Sequence, residues 1–164
     1  MATNTYIRAF EAADLEAIQR IRAAAFEPVF RSFRDIVGET VSALALGWAD
    51  AEQAEHLASL CDAKSPRQLH VALIDNDIVG FVSFSLDAEK RIGEIGLNAV
   101  HPDHAGRGIG TALYNFAIDR MRRSGMLIAT VGVGGDPSHI PARRAYEKAG
   151  FGPSLPSVWM YRVL

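Results

Sequence analysis

The sequence predicts an α+β domain, with one mixed sheet and helices packed around it. Apolar residues at helical spacing dominate the first 62 positions, strand-like runs occupy 70–100, and strand–helix alternation fills the rest. At 164 residues, with 49% apolar and 22% charged side chains, the chain reads as one domain, 1–164, large enough to bury a core. No repeat, linker or low-complexity tract interrupts it.

Tyr6-Ile7-Arg8 opens the chain as a short strand. A helix follows from Glu11 to Phe26, with Leu15, Ile18, Ile21 and Ala25 on one face and Asp14 near its start. Pro28 is expected to end it, because proline lacks the N–H that an interior helical position donates. Residues 35–48 and 51–62 read as two more amphipathic helices, the second carrying Ala54, Leu57, Ala58 and Cys61, and Ser65-Pro66 marks a turn. The runs 70–74 and 78–84 flank Asp75-Asn76-Asp77, residues tolerant of positive φ, and so predict a hairpin. A polar connection over 87–91 leads into a strand over 92–100. The helix over 108–123 sets Ile109, Leu113, Phe116, Ala117 and Met121 on one face and stops at Ser124-Gly125. Residues 126–133 are apolar and β-branched enough for a buried strand, a last helix covers about 141–149, and 158–163 closes the chain as a strand.

The most informative stretch is 92–111, IGEIGLNAVHPDHAGRGIGT. A strand passes through His101-Pro102 into Gly106-Arg107-Gly108-Ile109-Gly110, and a helix begins at once. Glycines let a ligand approach the backbone, and the first turn of a helix has N–H groups without internal partners, which suits an anion such as phosphate. A mere tight turn is the plainer alternative. A dinucleotide fingerprint fails because Thr111 stands where its third glycine belongs, and a P-loop fails because no Gly-Lys-Ser/Thr follows.

The segment resembles the acyl-CoA-binding core of the GCN5-related N-acetyltransferase (GNAT) family. The family's Arg/Gln-x-x-Gly-x-Gly/Ala falls on Ala105-Gly106-Arg107-Gly108-Ile109-Gly110, with Ala105 in place of the basic or amide side chain. A second match, His139-Ile-Pro-Ala142-Arg-Arg-Ala-Tyr146-Glu-Lys-Ala-Gly150-Phe151, is similar to the family's Asn-x-x-Ala-x-x-x-Tyr-x-x-x-Gly-Phe, with His139 for asparagine. The resemblance covers roughly the last two-thirds of the chain. It implies a mostly antiparallel sheet flanked by helices on both faces, with a splayed central strand pair. Acceptor-side helices would occupy 1–66 and the acyl-CoA core 67–164, and acetyl-CoA would be the co-substrate. The Ala105 substitution implies weaker CoA binding rather than none, since backbone amides carry most of that contact.

Roles for residues follow from the same resemblance. Glu94 keeps the base glutamate's offset from Gly108, and a carboxylate there can take a proton from an alkylammonium acceptor. A solvent-facing glutamate paired with a neighbouring Lys or Arg is the alternative. Strand alternation places Glu94, Gly96 and Asn98 on one face, with Gly96 leaving space beside the carboxylate, and Ile95, Leu97 and Ala99 on the other. The resemblance assigns Asn98, Ala99 and Val100 to the pantetheine arm, with the Asn98 N–H aimed at the thioester oxygen. It assigns the backbone of Gly106, Arg107, Gly108, Ile109, Gly110 and Thr111 to the pyrophosphate. Tyr146 would protonate the departing thiolate, a phenol pKa near ~10 being comparable with that of an alkyl thiol. Arg107, Arg143, Arg144 and Lys148 are candidates for phosphate contact or simply solvated, and His139 is either a hydrogen-bond partner of the CoA arm or an ordinary loop residue. His101 and His104 read as structural.

Acceptor recognition is expected from the first third, where Phe26, Phe30, Arg31, Phe33 and Arg34 cluster. The arginines there would clamp an anion or lie in water. Trp159 and Tyr161 would line the same cleft or a homodimer interface. A net charge of −2 argues against a general nucleic-acid or anionic-membrane partner. No apolar stretch is long enough for a span, and the N-terminal segment lacks the apolar run of a signal peptide. A lone Cys61 and the absence of zinc-like spacing lead to the expectation of a cytoplasmic, metal-free protein. The chemistry expected is acetyl transfer to the primary amine of a small molecule or peptide, in a ternary complex. A protein-modifying acetyltransferase and a CoA-binding sensor or assembly module without transfer activity are the alternatives.

Overall fold

The computed structural model describes residues 5–164, so the first four positions of the segment tested for a signal peptide lie outside it. Five strands form one sheet in sequence order: β1 (Tyr6–Ala9), β2 (Gln68–Ile74), β3 (Asp77–Asp87), β4 (Ile92–Val100) and β5 (Ile128–Val131). The first four pair antiparallel, and β5 lies parallel to β4, as a strand reached through a helical crossover must. The β2–β3 hairpin turns on Asp75 and Asn76 at φ 48° and 72°, the conformation that the sequence suggests there.

Helices cover both faces. On one face α1 (Leu15–Val37) and α3 (Ala49–Leu60) bury Ile18, Ile21, Leu57 and Leu60 against Val71 and Phe81 of the sheet. On the other, α4 (Ile109–Arg123) and α5 (Ile140–Lys148) bury Leu113, Ala117, Met121 and Tyr146 against Val82, Phe84 and Ile95. Asp14, itself buried, closes the 3-10 turn Ala12–Asp14 that leads into α1. Its carboxylate takes Arg8 in a two-point ion pair at 2.6 and 2.9 Å and also accepts the Glu11 amide.

Three expectations need correction. Pro28 does not end the first helix; α1 runs on to Val37, and a short α2 (Glu39–Val41) and a π-helical turn, Ser42–Leu46, follow where a helix over 35–48 was expected. Pro28 is exposed on the cleft side of α1, so the amide bond it forgoes is lost where the helix meets solvent rather than core. The strand expected over 126–133 shrinks to Ile128–Val131 and is not buried, with Leu127 71% and Ile128 57% exposed. Residues 158–163 form no strand, because no neighbouring strand pairs with them.

The α4-side core contains one titratable group with a measurable consequence. His70 on β2 is buried, stacked on Phe84 at 5.5 Å and close to Phe116 at 4.7 Å, and its Nδ1 has no hydrogen-bond partner. Burial, helped by Arg120, pushes its pKa down to about 4 from the usual 6.5. An unfolded chain therefore takes up a proton between those values that the folded chain refuses. Stability is complete above pH 6.5 and falls as pH drops toward 4, by on the order of 3 kcal/mol. Urea unfolding at pH 7.5 and 4.5 should show this loss in the wild type, and His70→Leu should remove the histidine's share. An identical pH slope in the variant would assign the loss to other groups.

Candidate active site

One cleft of about 970 Å³ runs along the open edge of β4 between α1, α3 and the starts of α4 and α5. Its origin is in the strand pairing. β4 and β5 pair from Ile92↔Ile128 only as far as Ile95↔Val131, while β4 continues to Val100. Beyond Ile95 the β4 groups that face β5 have no strand partner, and Asn98, Ala99 and Val100 line the opening. This is the splayed pair that the family resemblance implies.

Within β4 the side chains do not alternate simply. Val82 pairs with Asn98 but Phe84 pairs with Ile95, so Ser83 alone opposes Gly96 and Leu97. This β-bulge shifts the register by one residue. The Ser83 hydroxyl donates to the Leu97 carbonyl at 2.9 Å and helps hold it. Glu94 and Asn98 are consequently on opposite faces, contrary to the expected shared face. Ile95, Asn98 and Val100 look toward α4 and α5, and Leu97 and Ala99 toward α1. The space expected beside Gly96 is filled by Arg67. A Cβ on Gly96 would come within 2.6 Å of Arg67 Nη1 and 2.8 Å of Ser83 Oγ, so a larger residue there would push the Arg67 side chain aside.

The bulge delivers Asn98 between two tyrosines. Tyr114 donates its hydroxyl proton to Asn98 Oδ1 at 2.8 Å, while Asn98 Nδ2 donates to the Gly96 carbonyl at 2.9 Å and to the Tyr146 hydroxyl oxygen at 3.0 Å. A carbonyl only accepts, so the Gly96 contact fixes which end of the amide faces which tyrosine. Tyr146 therefore accepts from Asn98, and its own proton stays available to the cleft that it lines. Burial pushes the Tyr146 pKa up, against the hydrogen bond from Asn98, and Tyr114 is pushed up further still by burial and by the neighbouring Tyr146. Both remain neutral at physiological pH. The two rings pack at 4.4 Å, and Phe151 meets Tyr146 edge-on at 5.7 Å. Tyr114 is absent from the sequence-derived candidates; it belongs to the buried stripe of α4 and carries no motif position.

At the mouth of the cleft Gly106 and Gly108 take φ of 74° and 82°, and Gly108 caps α4 in the left-handed conformation. Gly106, Gly108, Ile109, Gly110 and Thr111 all line the cleft, with Ala105 beside them. No atom lies within 4 Å of the place where a Cβ on Gly106 or Gly108 would stand. The Ala112 amide is the first in α4 to bond back, to the Gly108 carbonyl at 2.9 Å, so the preceding amides of the first turn are open to an anion. Arg144 and Lys148 line the same cleft. Arg107 is exposed and does not line it, and Arg143 is tied to the carbonyls of Gly134 at 2.6 Å and Asp136 at 3.0 Å. His104, read from sequence as structural, lines the cleft with a buried Nδ1 that has no partner.

His139 also lines the cleft. Its Nδ1 is 2.5 Å from Asp136 Oδ1, its ring stacks on Phe33 at 5.9 Å, and Nε2 bonds to no described residue. Burial works against the Asp136 charge, yet hydrogen bonds from Ser138, Ser32 and His139 hold its carboxyl well below the usual carboxylate range. The Ser32 bond, at 2.9 Å, ties α1 to the turn before α5.

Glu94 lines the α1 side of the cleft with its side chain about half exposed. Arg67 Nη2 donates to Oε1 at 3.1 Å, whereas Oε2 accepts from no described residue. The pairing with an arginine is the plainer reading of this residue made real, and Oε2 remains free. Phe26, Val29, Gln53 and His56 complete this wall. Of the aromatic–basic cluster, Arg31 pairs with Glu27 at the surface and Arg34 is exposed, so neither enters the cleft. Trp159 and Tyr161 do not line it either.

The sequence profile of the Acetyltransferase (GNAT) family matches residues 30–151. The chain belongs to the GNAT acetyltransferase family. A mycothiol acetyltransferase of Streptomyces coelicolor is 30% identical to this GNAT protein over 86 residues, 52% of this chain and 27% of that protein, so the match spans about a quarter of the curated relative. Among solved structures, a GNAT family acetyltransferase from Brucella melitensis in complex with acetyl-CoA superposes with a TM-score of 0.62 at 24% identity, covering 94% of this chain and 92% of that one. The ribosomal-protein-S18-alanine N-acetyltransferase of Escherichia coli gives 0.64 at 18% identity, covering 92% and 79%. These last two likenesses establish the GNAT fold.

Proposed function

We propose that the chain is an acetyl-CoA-dependent N-acyltransferase that moves the acetyl group to a primary amine of a small molecule or peptide by direct attack in a ternary complex. The observation that carries this reading is the Tyr114–Asn98–Tyr146 chain, which leaves a neutral phenol with its proton free at the splayed edge of β4. A module that only binds CoA has no use for a positioned acid.

Acetyl-CoA supplies the acyl group as a thioester. The residues present suit it: the open amides from Gly106 to Thr111 for pyrophosphate, Arg144 and Lys148 for phosphate charge, and the unpaired edge at Asn98, Ala99 and Val100 for the extended arm. The Asn98 N–H steadies the thioester oxygen as it gains charge. His139, oriented by Asp136, turns Nε2 to the arm as a hydrogen-bond partner. Glu94 Oε2, directly or through water, accepts the proton of the acceptor ammonium, and Tyr146 gives its proton to the sulfur as the C–S bond breaks. Phe26, Val29 and Leu97, with Gln53 and His56, form a wall for an amine that has an apolar portion next to the nitrogen.

The deciding experiment is a broad panel of amines, including amino sugars and peptide N-termini, scored by acetyl-CoA-dependent thiol release and by mass of the product. Acceptor-dependent release with an acetylated product is expected. CoA binding without acetyl transfer to any amine would favour the sensor or assembly reading. A cheaper check concerns Ala105, which is exposed at the cleft mouth. Ala105→Arg places a cation beside the phosphates and should tighten CoA severalfold, about 1 kcal/mol for one added surface charge pair, with the gain shrinking in high salt. Equal or weaker affinity by calorimetry would show that the phosphates lie elsewhere.

A further inference from the structure

The second half of α1 is held by something other than the hydrophobic core. Among the buried residues of α1, Ile18, Ile21 and Arg22 precede Pro28, and only Val29 follows it. Pro28 has no amide to offer the Ala24 carbonyl, so the helix forgoes one of its own bonds where those core contacts give out. The turns over 30–37 therefore run on without core burial. Yet Phe26 and Val29, on either side of the proline, form the acceptor wall of the cleft.

Two contacts hold this half of the helix, and both end on the turn before α5. Ser32 Oγ donates to Asp136 Oδ2 at 2.9 Å. Phe33 stacks on His139 at 5.9 Å and is the last phenylalanine of a ladder that starts at the acceptor wall. Its other steps are Phe26 to Phe30 at 6.2 Å and Phe30 to Phe33 at 6.5 Å. Val29, Ser32 and Phe33 share one face of α1, so the clamp lies one turn, about 5 Å, beyond the wall. The far end is braced. Asp136 Oδ2 also accepts from the Ser138 amide and hydroxyl, Oδ1 holds His139, and Arg143 grips the carbonyls of Gly134 and Asp136. The Asp136 and His139 side chains are 11% and 16% exposed, so water competes little for these bonds.

We propose that Ser32 and Phe33 are positioning residues for the transfer reaction. They dock the second half of α1 on the Asp136–His139 pair and so fix how far Phe26 and Val29 stand from the acyl-CoA arm. The assignment rests on the acetyl-transfer reading above. Neither Ser32 nor Phe33 lines the cleft, so each acts through the wall that it holds. Attack on a thioester tolerates little play between the reacting atoms, and a wall displaced by about 1 Å forfeits much of the gain from orientation.

Benzylamine, a primary amine with its apolar portion next to the nitrogen, is the acceptor probe, with acetyl-CoA as donor and calorimetry of CoA on the same proteins. Ser32→Ala should lower kcat/KM for benzylamine roughly tenfold, the worth of one hydrogen bond to a charged group, while the Kd of CoA stays near wild type. Ser32→Thr keeps the hydroxyl and should restore the wild-type value. Phe33→Leu keeps bulk without the ring and should lower kcat/KM as well. Because both changes release the same segment, the double variant should lose less than the two losses combined. An unchanged kcat/KM in Ser32→Ala, whatever its Tm, would leave Ser32 a merely structural residue and overturn the proposal. So would a Ser32→Thr variant no better than alanine, or a loss of CoA affinity as large as the loss of kcat/KM. Benzylamine left unacetylated while other amines react would overturn the apolar wall and the proposal with it. CoA binding without transfer to any amine would instead fell the acetyl-transfer reading on which the proposal rests.

Discussion

Tyr146→Phe is expected to abolish most turnover while leaving the acyl donor bound. The variant keeps the ring, its 4.4 Å packing on Tyr114 and its contact with Phe151, so the fold and the cleft persist. It loses one proton and one acceptor. Asn98 Nδ2 retains the Gly96 carbonyl as a partner, so the amide between the tyrosines stays oriented. Removal of a general acid costs about 10²–10⁴-fold. The loss should fall on kcat and on kcat/KM for the acceptor, with little change in the Kd of CoA, because the proton is needed only as sulfur departs. Single-turnover kinetics with a thiol reagent measures it where chemistry limits the rate. An unchanged rate there would reduce Tyr146 to a packing residue.

Glu94→Gln is the other large effect expected. Glutamine keeps the side-chain length and can still accept from Arg67 through its carbonyl oxygen, so the ion-pair geometry at 3.1 Å has a close substitute. What disappears is the free Oε2 as a proton acceptor. At neutral pH the rate should fall by about 10²–10⁴-fold. As pH rises the acceptor deprotonates in solution and the variant should regain part of the loss, which steepens its pH profile relative to wild type. A Glu94→Gln enzyme with the wild-type rate and profile on a true acceptor would move the role elsewhere. His56, in the same cleft, is then the side chain to test, directly or as one end of a water relay.

The parts of this molecule that were legible in the sequence are those set by local chemistry. The glycine turn ahead of α4 needs positive φ at Gly106 and Gly108, and Gly, with little alternative, writes that into the sequence. The spacing from His139 through Tyr146 to Gly150 is one helix and its stop, again a local matter. What could not be read depends on a distant partner. The face shown by Asn98 is decided by Ser83 on another strand, so alternation along β4 alone gives the wrong side. Arg67 precedes β2, and nothing near it announces a contact with Glu94, 27 positions on. Pro28 interrupts a pattern that continues beyond it, because its ring is on the solvent side of α1. Residues 158–163 have a strand's composition, yet composition cannot supply the strand next to them.

The bulge in β4 has a consequence for how such a site can diversify. One supernumerary residue turns the strand into a partition with different trades on its two sides. In the proposed reaction the acceptor amine meets Glu94, Phe26 and Val29 from one side of β4, and the departing sulfur meets the phenol held by Asn98 from the other. Substitutions that reshape the first surface leave the second untouched, so acceptor preference can drift without eroding the departure step.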